Sequence, residues 1–313
     1  MKYKFFLFCL SIFMAVSYCI AQSSRTQTIA HRGEWRSEGS AQNSRTSLQR
    51  ALDLNIFGSE IDIWLTTDGH IMVNHDDKYK GISLQDTTFA VCKKLILNNG
   101  ERMPELKDLL KIMKKTQSPT RLIVEVKNHR NPQRSRDCAT AAVRAIQKHK
   151  LENRVMYISF SMEACETIHA LDPNAEVAYL SGNRTPEELH TIGLTGIDYE
   201  YKRLKAHPEW VQQAHELGMN VNVWTIDTPE EILEMQALGV DYITTNEPAL
   251  CDSIINDKTS RLSPWDSTSV SFSPPLPAPS FPTMTVADVD NPVFPLLLAS
   301  SPLSCQTRVA VGR

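Results

Sequence analysis

The chain has 313 residues, 42% of them apolar and 22% charged, with a formal net charge of -3. That balance supplies a sizeable core and excludes wholesale disorder. It also excludes a general electrostatic pull on nucleic acid or acidic membranes, so an anionic small molecule would have to be held by local charges.

The first elements belong to targeting. Lys2 and Lys4 precede an apolar run from Phe5 to Val16, and small residues follow near Ala21, which predicts a secretory signal peptide over residues 1–21 and a secreted or periplasmic protein. Lipoprotein anchoring at Cys19 is disfavoured, because Tyr18 stands where a small residue is expected. No segment reaches the roughly 18 to 20 apolar residues of a membrane span. Beyond the leader, Cys92, Cys138, Cys165, Cys251 and Cys305 are odd in number and widely spaced, so they read as buried free thiols, neither a disulfide framework nor a zinc site.

From Thr26 to Ile255 short β-branched runs alternate with amphipathic stretches, the pattern of a parallel α/β fold. Strands are predicted at Thr28 to His31, Gly58 to Leu65, Arg121 to Lys127, Val155 to Ser159, Glu176 to Leu180, Gly196 to Glu200, Asn220 to Thr225 and Tyr242 to Thr245. Helices are predicted at Ser44 to Leu54, Glu105 to Lys115, Asp137 to His149, Met162 to Leu171, Pro186 to Ile192, Pro208 to Leu217 and Pro229 to Leu238, with Ser161, Thr185 and Thr228 at N-cap positions. Eight such units in about 230 residues fit a TIM (β/α)8 barrel. The rival, a doubly wound sheet, would carry a glycine-rich loop after its first strand, and His31-Arg32-Gly33-Glu34 is not one.

A short strand over His70 to Asn74 should fold back on the second strand and present His75 at its tip. Residues 77–103 have no long period and read as a short insertion or lid over the barrel mouth. The barrel domain thus runs over residues 22–258. Nine of the chain's 17 prolines fall after residue 258, so 259–313 read as a Pro/Ser-rich disordered tail.

Chemistry concentrates at the strand ends. Side chains alternate along a strand, so Glu60 and Asp62 share a face, as do Glu125 and Lys127. Three converging carboxylates repel one another unless a cation or paired bases neutralise them, and oxygen donors favour Ca2+ or Mg2+ over zinc. Glu60, Asp62 and Glu125 are therefore the expected metal ligands.

The opening His31-Arg32-Gly33, the Glu60-x-Asp62 strand, His75-Asp76, Glu125-x-Lys127, Val223-Trp224-Thr225 and the closing Thr244-Thr245-Asn246-Glu247-Pro248 occur in an order that resembles the glycerophosphodiester phosphodiesterase family. The resemblance implies a metal-dependent phosphodiesterase that releases an alcohol and sn-glycerol 3-phosphate. It implies His31 and His75 as the general acid and base, Arg32 and Lys127 around the phosphate, and Trp224 and Phe160 lining the pocket for a small-molecule glycerophosphodiester. His129, His149, His169, His190, His207 and His215 read as surface or helix-end residues. The family commonly has Pro-Glu-Asn-Thr where this chain has Ala41-Gln42-Asn43-Ser44, which implies a weaker hold on the metal, and the insertion is shorter than is usual in bacterial members. Rival readings are a phospholipase C/D-like enzyme on intact lipid and a non-catalytic barrel that binds phosphorylated solutes.

Overall fold

The computed structural model describes residues 26–257, so the expected signal peptide over 1–21 and the tail over 259–313 lie outside the described residues. In chain order the elements are β1 (Gln27–Ala30), α1 (Arg45–Asp53), β2 (Gly58–Leu65), β3 (Ile71–Val73), β4 (Lys78–Tyr79), β5 (Ile82–Ser83), α2 (Phe89–Cys92), α3 (Leu106–Lys115), β6 (Arg121–Val126) and α4 (Pro132–His149). They continue with β7 (Val155–Ser159), α5 (Met162–Leu171), β8 (Val177–Tyr179), α6 (Pro186–Thr191), β9 (Gly196–Glu200), α7 (Tyr201–Ala206), α8 (Glu209–Glu216), β10 (Asn220–Trp224), α9 (Pro229–Leu238), β11 (Tyr242–Thr245) and α10 (Pro248–Asn256).

The sheet order β1-β11-β10-β9-β8-β7-β6-β2 closes through a β1–β2 pairing, giving eight parallel strands in a barrel. This is the predicted TIM architecture. Alternation divides the strand residues into two sets. Ile61, Val124, Tyr157, Ile197, Val221 and Ile243 join the helices in the outer core. Their neighbours Ile29, Ile123, Met156, Ile158, Ala178 and Tyr242 fill the barrel interior. Two apolar layers therefore sandwich each strand, as a parallel sheet requires.

Local signals explain the borders. Ser44 caps α1 by accepting the Ser47 amide at 2.9 Å, and Ser161, Thr185 and Thr228 cap α5, α6 and α9 as expected. Helix α4 starts at Pro132, five residues before the predicted Asp137, because Asn131 caps it while the polar residues 133–136 carry no apolar period. β3 pairs antiparallel with the end of β2, as predicted.

Residues 77–103 are more ordered than their sequence suggests. They form the β4–β5 hairpin, a 3-10 turn at Leu84–Asp86 and α2. Trp64, Met72, Leu84, Cys92, Leu97 and Met103 give this insertion a core of its own. The pieces are too short to show a period. Cys92, Cys138, Cys165 and Cys251 are buried free thiols, and no helix among the described residues is long and apolar enough to cross a membrane.

Candidate active site

The site lies at the C-terminal ends of the barrel strands, beginning with the turn after β1. Arg32 has a φ of 58° and Gly33 a φ of 77°, both in the left-handed region. The turn points the Arg32 amide at Glu60, whose Oε2 accepts it at 2.7 Å. Gly33 packs against the first turn of α1, where an added Cβ would lie 2.5 Å from Ser47 Oγ and 2.7 Å from its backbone carbon. Gly33→Ala should therefore cost about 2–4 kcal/mol in chemical denaturation, combining an unfavourable φ with overpacking. A loss below about 1 kcal/mol would show that the turn relaxes freely.

Glu60, Asp62 and Glu125 point into the barrel from β2 and β6, buried to within a few per cent, and each offers an oxygen within 4.8 Å of the others. The register pairs Asp62 with Glu125 directly. Lys127 Nζ bridges them, at 3.2 Å from Asp62 Oδ1 and 2.8 Å from Glu125 Oε1. Asn43, itself left-handed at φ 58°, donates to Asp62 Oδ2 at 2.8 Å and accepts the Asp62 amide at 3.0 Å. Arg32 Nε stands 3.9 Å from Asp62 Oδ2.

These contacts divide the cluster unequally. Burial would raise Asp62, but Lys127 above all, with His75, Asn43 and Arg32, holds it at about 2. Burial and the neighbouring Asp62 push Glu125 up to about 8, Lys127 offsetting only part of this. Glu60 is raised well above the usual carboxylate range by burial and by both other carboxylates, and its Oε1 is buried without a hydrogen-bond partner. Two bases thus serve three carboxylates, and the orphaned Glu60 oxygen fits a hard divalent cation.

His31 ends β1. Its Nδ1 lies 2.9 Å from Asn246 Oδ1, and Asn246 is fixed by the Asp227 carboxylate through its side-chain and backbone N–H groups, each at 2.8 Å. Since Asn246 Oδ1 only accepts, His31 carries its proton on Nδ1 and exposes the Nε2 lone pair. Burial, then Arg32, lowers its pKa to about 4. His75 follows β3, its Nδ1 2.8 Å from Asp76 Oδ1, and burial is the main cause of its lowered pKa.

One cavity of about 240 Å³ is lined by His31, Arg32, Glu60, His75, Glu125, Lys127, Phe160 and Trp224, with Ile158, Leu180, Asp198, Thr225 and Thr244. Of the nine predicted site residues only the fully buried Asp62 is not on its wall, and Asp62 holds Lys127 from below. Phe160 and Trp224 meet edge to face at 5.7 Å. A wider groove of about 540 Å³ runs outward from His75 between residues 35–42 and the insertion, lined in part by Trp35, Tyr79 and Asn98.

One expectation changes. His129 is not at the surface: it is 5% exposed, accepts the Leu65 amide on Nε2 at 3.0 Å and sits with Nδ1 2.7 Å from the Lys127 carbonyl. It ties the ends of β2 and β6 together just beyond the metal-type cluster. Gln42 Oε1 accepts from Arg32 at 2.8 Å, the same guanidinium that stands beside Asp62. Sequence reasoning missed Asn43, Asp227 and Asp198. Asn43 left a signal as the asparagine that matches the family's Pro-Glu-Asn-Thr, and Asp198 left one as an acidic residue at an inward position of β9.

A (β/α)8 barrel whose mouth joins two imidazoles, Arg32, Lys127 and three buried carboxylates has the makings of a barrel enzyme that handles phosphate esters. The model of the glycerophosphoryl diester phosphodiesterase family matches residues 31–250, and the chain belongs to that family. The structure of a glycerophosphodiester phosphodiesterase from Parabacteroides distasonis is 46% identical, with a TM-score of 0.73, over 74% of this chain and 97% of that one. A glycerophosphodiester phosphodiesterase of Caldanaerobacter subterraneus is 25% identical over 74% of this chain and 97% of its own length. The fold is also that of an Oleispira antarctica phosphodiesterase solved in complex with the product sn-glycerol-3-phosphate, 23% identical at a TM-score of 0.64 over 74% of this chain and 97% of that one.

Proposed function

We propose that this protein hydrolyses glycerophosphodiesters to an alcohol and sn-glycerol 3-phosphate, with His31 and His75 moving the protons and Glu60, Asp62 and Glu125 holding Ca2+ or Mg2+. The observation that carries the reading is the meeting of both imidazoles, Arg32 and Lys127 with a three-carboxylate cluster in one cavity. Family membership and the product bound in the Oleispira relative support it.

When bound, the cation would supply Lewis-acid neutralisation of a phosphoryl oxygen. The chain's own groups do the rest. Arg32 and Lys127 place positive charge beside the phosphate, whose negative charge in turn raises the proton affinity of both imidazoles. One histidine takes the nucleophile's proton and the other protonates the leaving alkoxide, each held in its tautomer by the partner on Nδ1. Ile158, Phe160, Leu180 and Trp224 pack against the carbons of the glycerol moiety, and the groove beyond His75 has room for the alcohol. The predicted leader makes the enzyme secreted or periplasmic. N-terminal sequencing of exported protein should begin at Gln22.

A coupled assay for glycerol 3-phosphate release from glycerophosphocholine, glycerophosphoethanolamine and glycerophosphoinositol, with and without a chelator, tests the reading. Turnover of at least one, lost on chelation and restored by Ca2+ or Mg2+, is expected. Turnover of intact phospholipid alone would move the assignment to a lipid phosphodiesterase, and turnover of nothing by the metal-loaded protein would sink it.

A further inference from the structure

The cavity wall is divided between two arcs of the barrel. Strands β1, β2 and β6, adjacent in the sheet, and the turns after them bring His31, Arg32, Glu60, Glu125 and Lys127. The facing arc, β7 to β10, brings Ile158, Phe160, Leu180 and Trp224, and among them one carboxyl, Asp198. Its strand neighbours Ile197 and Tyr199 belong to the outer core, so Asp198 points inward, level with Asn222 on β10. It stands between the strand of Leu180 and the strand of Trp224. Trp224 leans over it, the indole Nε1 donating to the Asp198 carbonyl at 3.0 Å.

Asp198 is 1% exposed, and its Oδ1 is buried without a hydrogen-bond partner. A buried carboxyl with an open oxygen costs stability unless something satisfies it. The metal-type cluster and its bases are on the other arc. Asn222 on the neighbouring strand hydrogen-bonds the Asp198 side chain and also donates to Thr244 at 2.9 Å, and it leaves Oδ1 open. Burial raises the Asp198 pKa to about 7, with Asn222 offsetting only part of the rise. A carboxyl in either protonation state can pair with a hydroxyl, which both donates and accepts.

Resting on the glycerophosphodiester reading, we infer that Asp198 determines specificity for the polyol: its unpartnered oxygen, set in the apolar arc facing the phosphate-binding arc, takes a hydroxyl of the glycerol moiety. Trp224 and Phe160 cover the carbons, and Asp198 distinguishes a hydroxylated chain from an alkyl one. A site built around a substrate hydroxyl rejects the analogue that lacks it, because the protein group is then left unpaired.

The test compares three phosphocholine diesters, carrying glycerol, 3-hydroxypropyl or 2-hydroxypropyl groups, so that each hydroxyl is deleted in turn. The wild type should favour the glycerol diester over one of the deoxy diesters by about 10- to 100-fold in kcat/KM. Asp198→Ala should lose about that factor on the glycerol diester, change less than about threefold on the rejected analogue, and so erase the preference. Asp198→Asn, which keeps the shape, should fold normally and retain an intermediate preference. Calorimetric binding of sn-glycerol 3-phosphate against the two deoxy phosphates gives the same comparison without turnover. Equal wild-type handling of all three compounds overturns the inference, as does an equal loss on all three in the variants, the mark of a structural role. If the wild type turns over no diester, the functional reading fails on its own, and binding that ignores both hydroxyls rejects the role of Asp198 separately.

Discussion

Replacing His31 or His75 by alanine should lower kcat/KM for a glycerophosphodiester by about 10³-fold while leaving the thermal stabilisation by divalent cation in place. Both imidazoles border the cavity, and neither is among the three buried oxygen donors. Their side chains are partly exposed, so neither truncation opens a core void. The Asp227–Asn246 pair behind His31 adds a graded check. Asn246→Ala frees the ring without removing it, and a loss of about tenfold is expected. Unchanged turnover in either histidine variant, or loss of the cation response along with activity, would refute the division of roles.

The cation should stabilise the protein far more at pH 8 than at pH 5. Glu125 titrates at about 8 and Glu60 well above the usual range when the carboxylates have only Lys127 and Arg32 for company. Unfolded, both would titrate near ~4.5. Across that interval the native state binds more protons than the unfolded one, so the stability contribution of these groups falls as pH rises. A cation competes with those protons, and its benefit grows in the same direction. Saturating Ca2+ or Mg2+ should raise Tm by about 5–10 °C at pH 8 and much less at pH 5. Glu60→Gln should raise the Tm of the metal-free protein at pH 8, yet abolish most of the cation response and of the activity. Scanning calorimetry at the two pH values decides it. An equal response at both, or a full response in Glu60→Gln, would remove Glu60 from the ligand set.

The barrel was legible because its strands are short apolar runs, many of them β-branched, and α1, α4, α5, α6 and α9 start at a Ser, Thr or Asn cap. β2, β7, β9 and β11 have the predicted bounds. The site was legible as far as alternation reaches: parity alone puts Glu60 with Asp62 and Glu125 with Lys127. It does not reach contacts made across the closed barrel. Asn43 meets Asp62 across 19 residues and Asn246 meets His31 across 215. His129 was misplaced for the same reason, since the group that buries it, the end of β2, is distant in sequence. The inner elements of the insertion left no signal because its strands are two residues long, below any period.

The grouping of the charged residues on three adjacent strands has an evolutionary consequence. Substitutions at Phe160, Leu180 or Trp224 fall on staves of the barrel that bear none of the proton-transfer or metal-type groups. A lineage can therefore exchange one polyol for another by altering half the barrel, while the half that carries the charged cluster passes unchanged to its descendants.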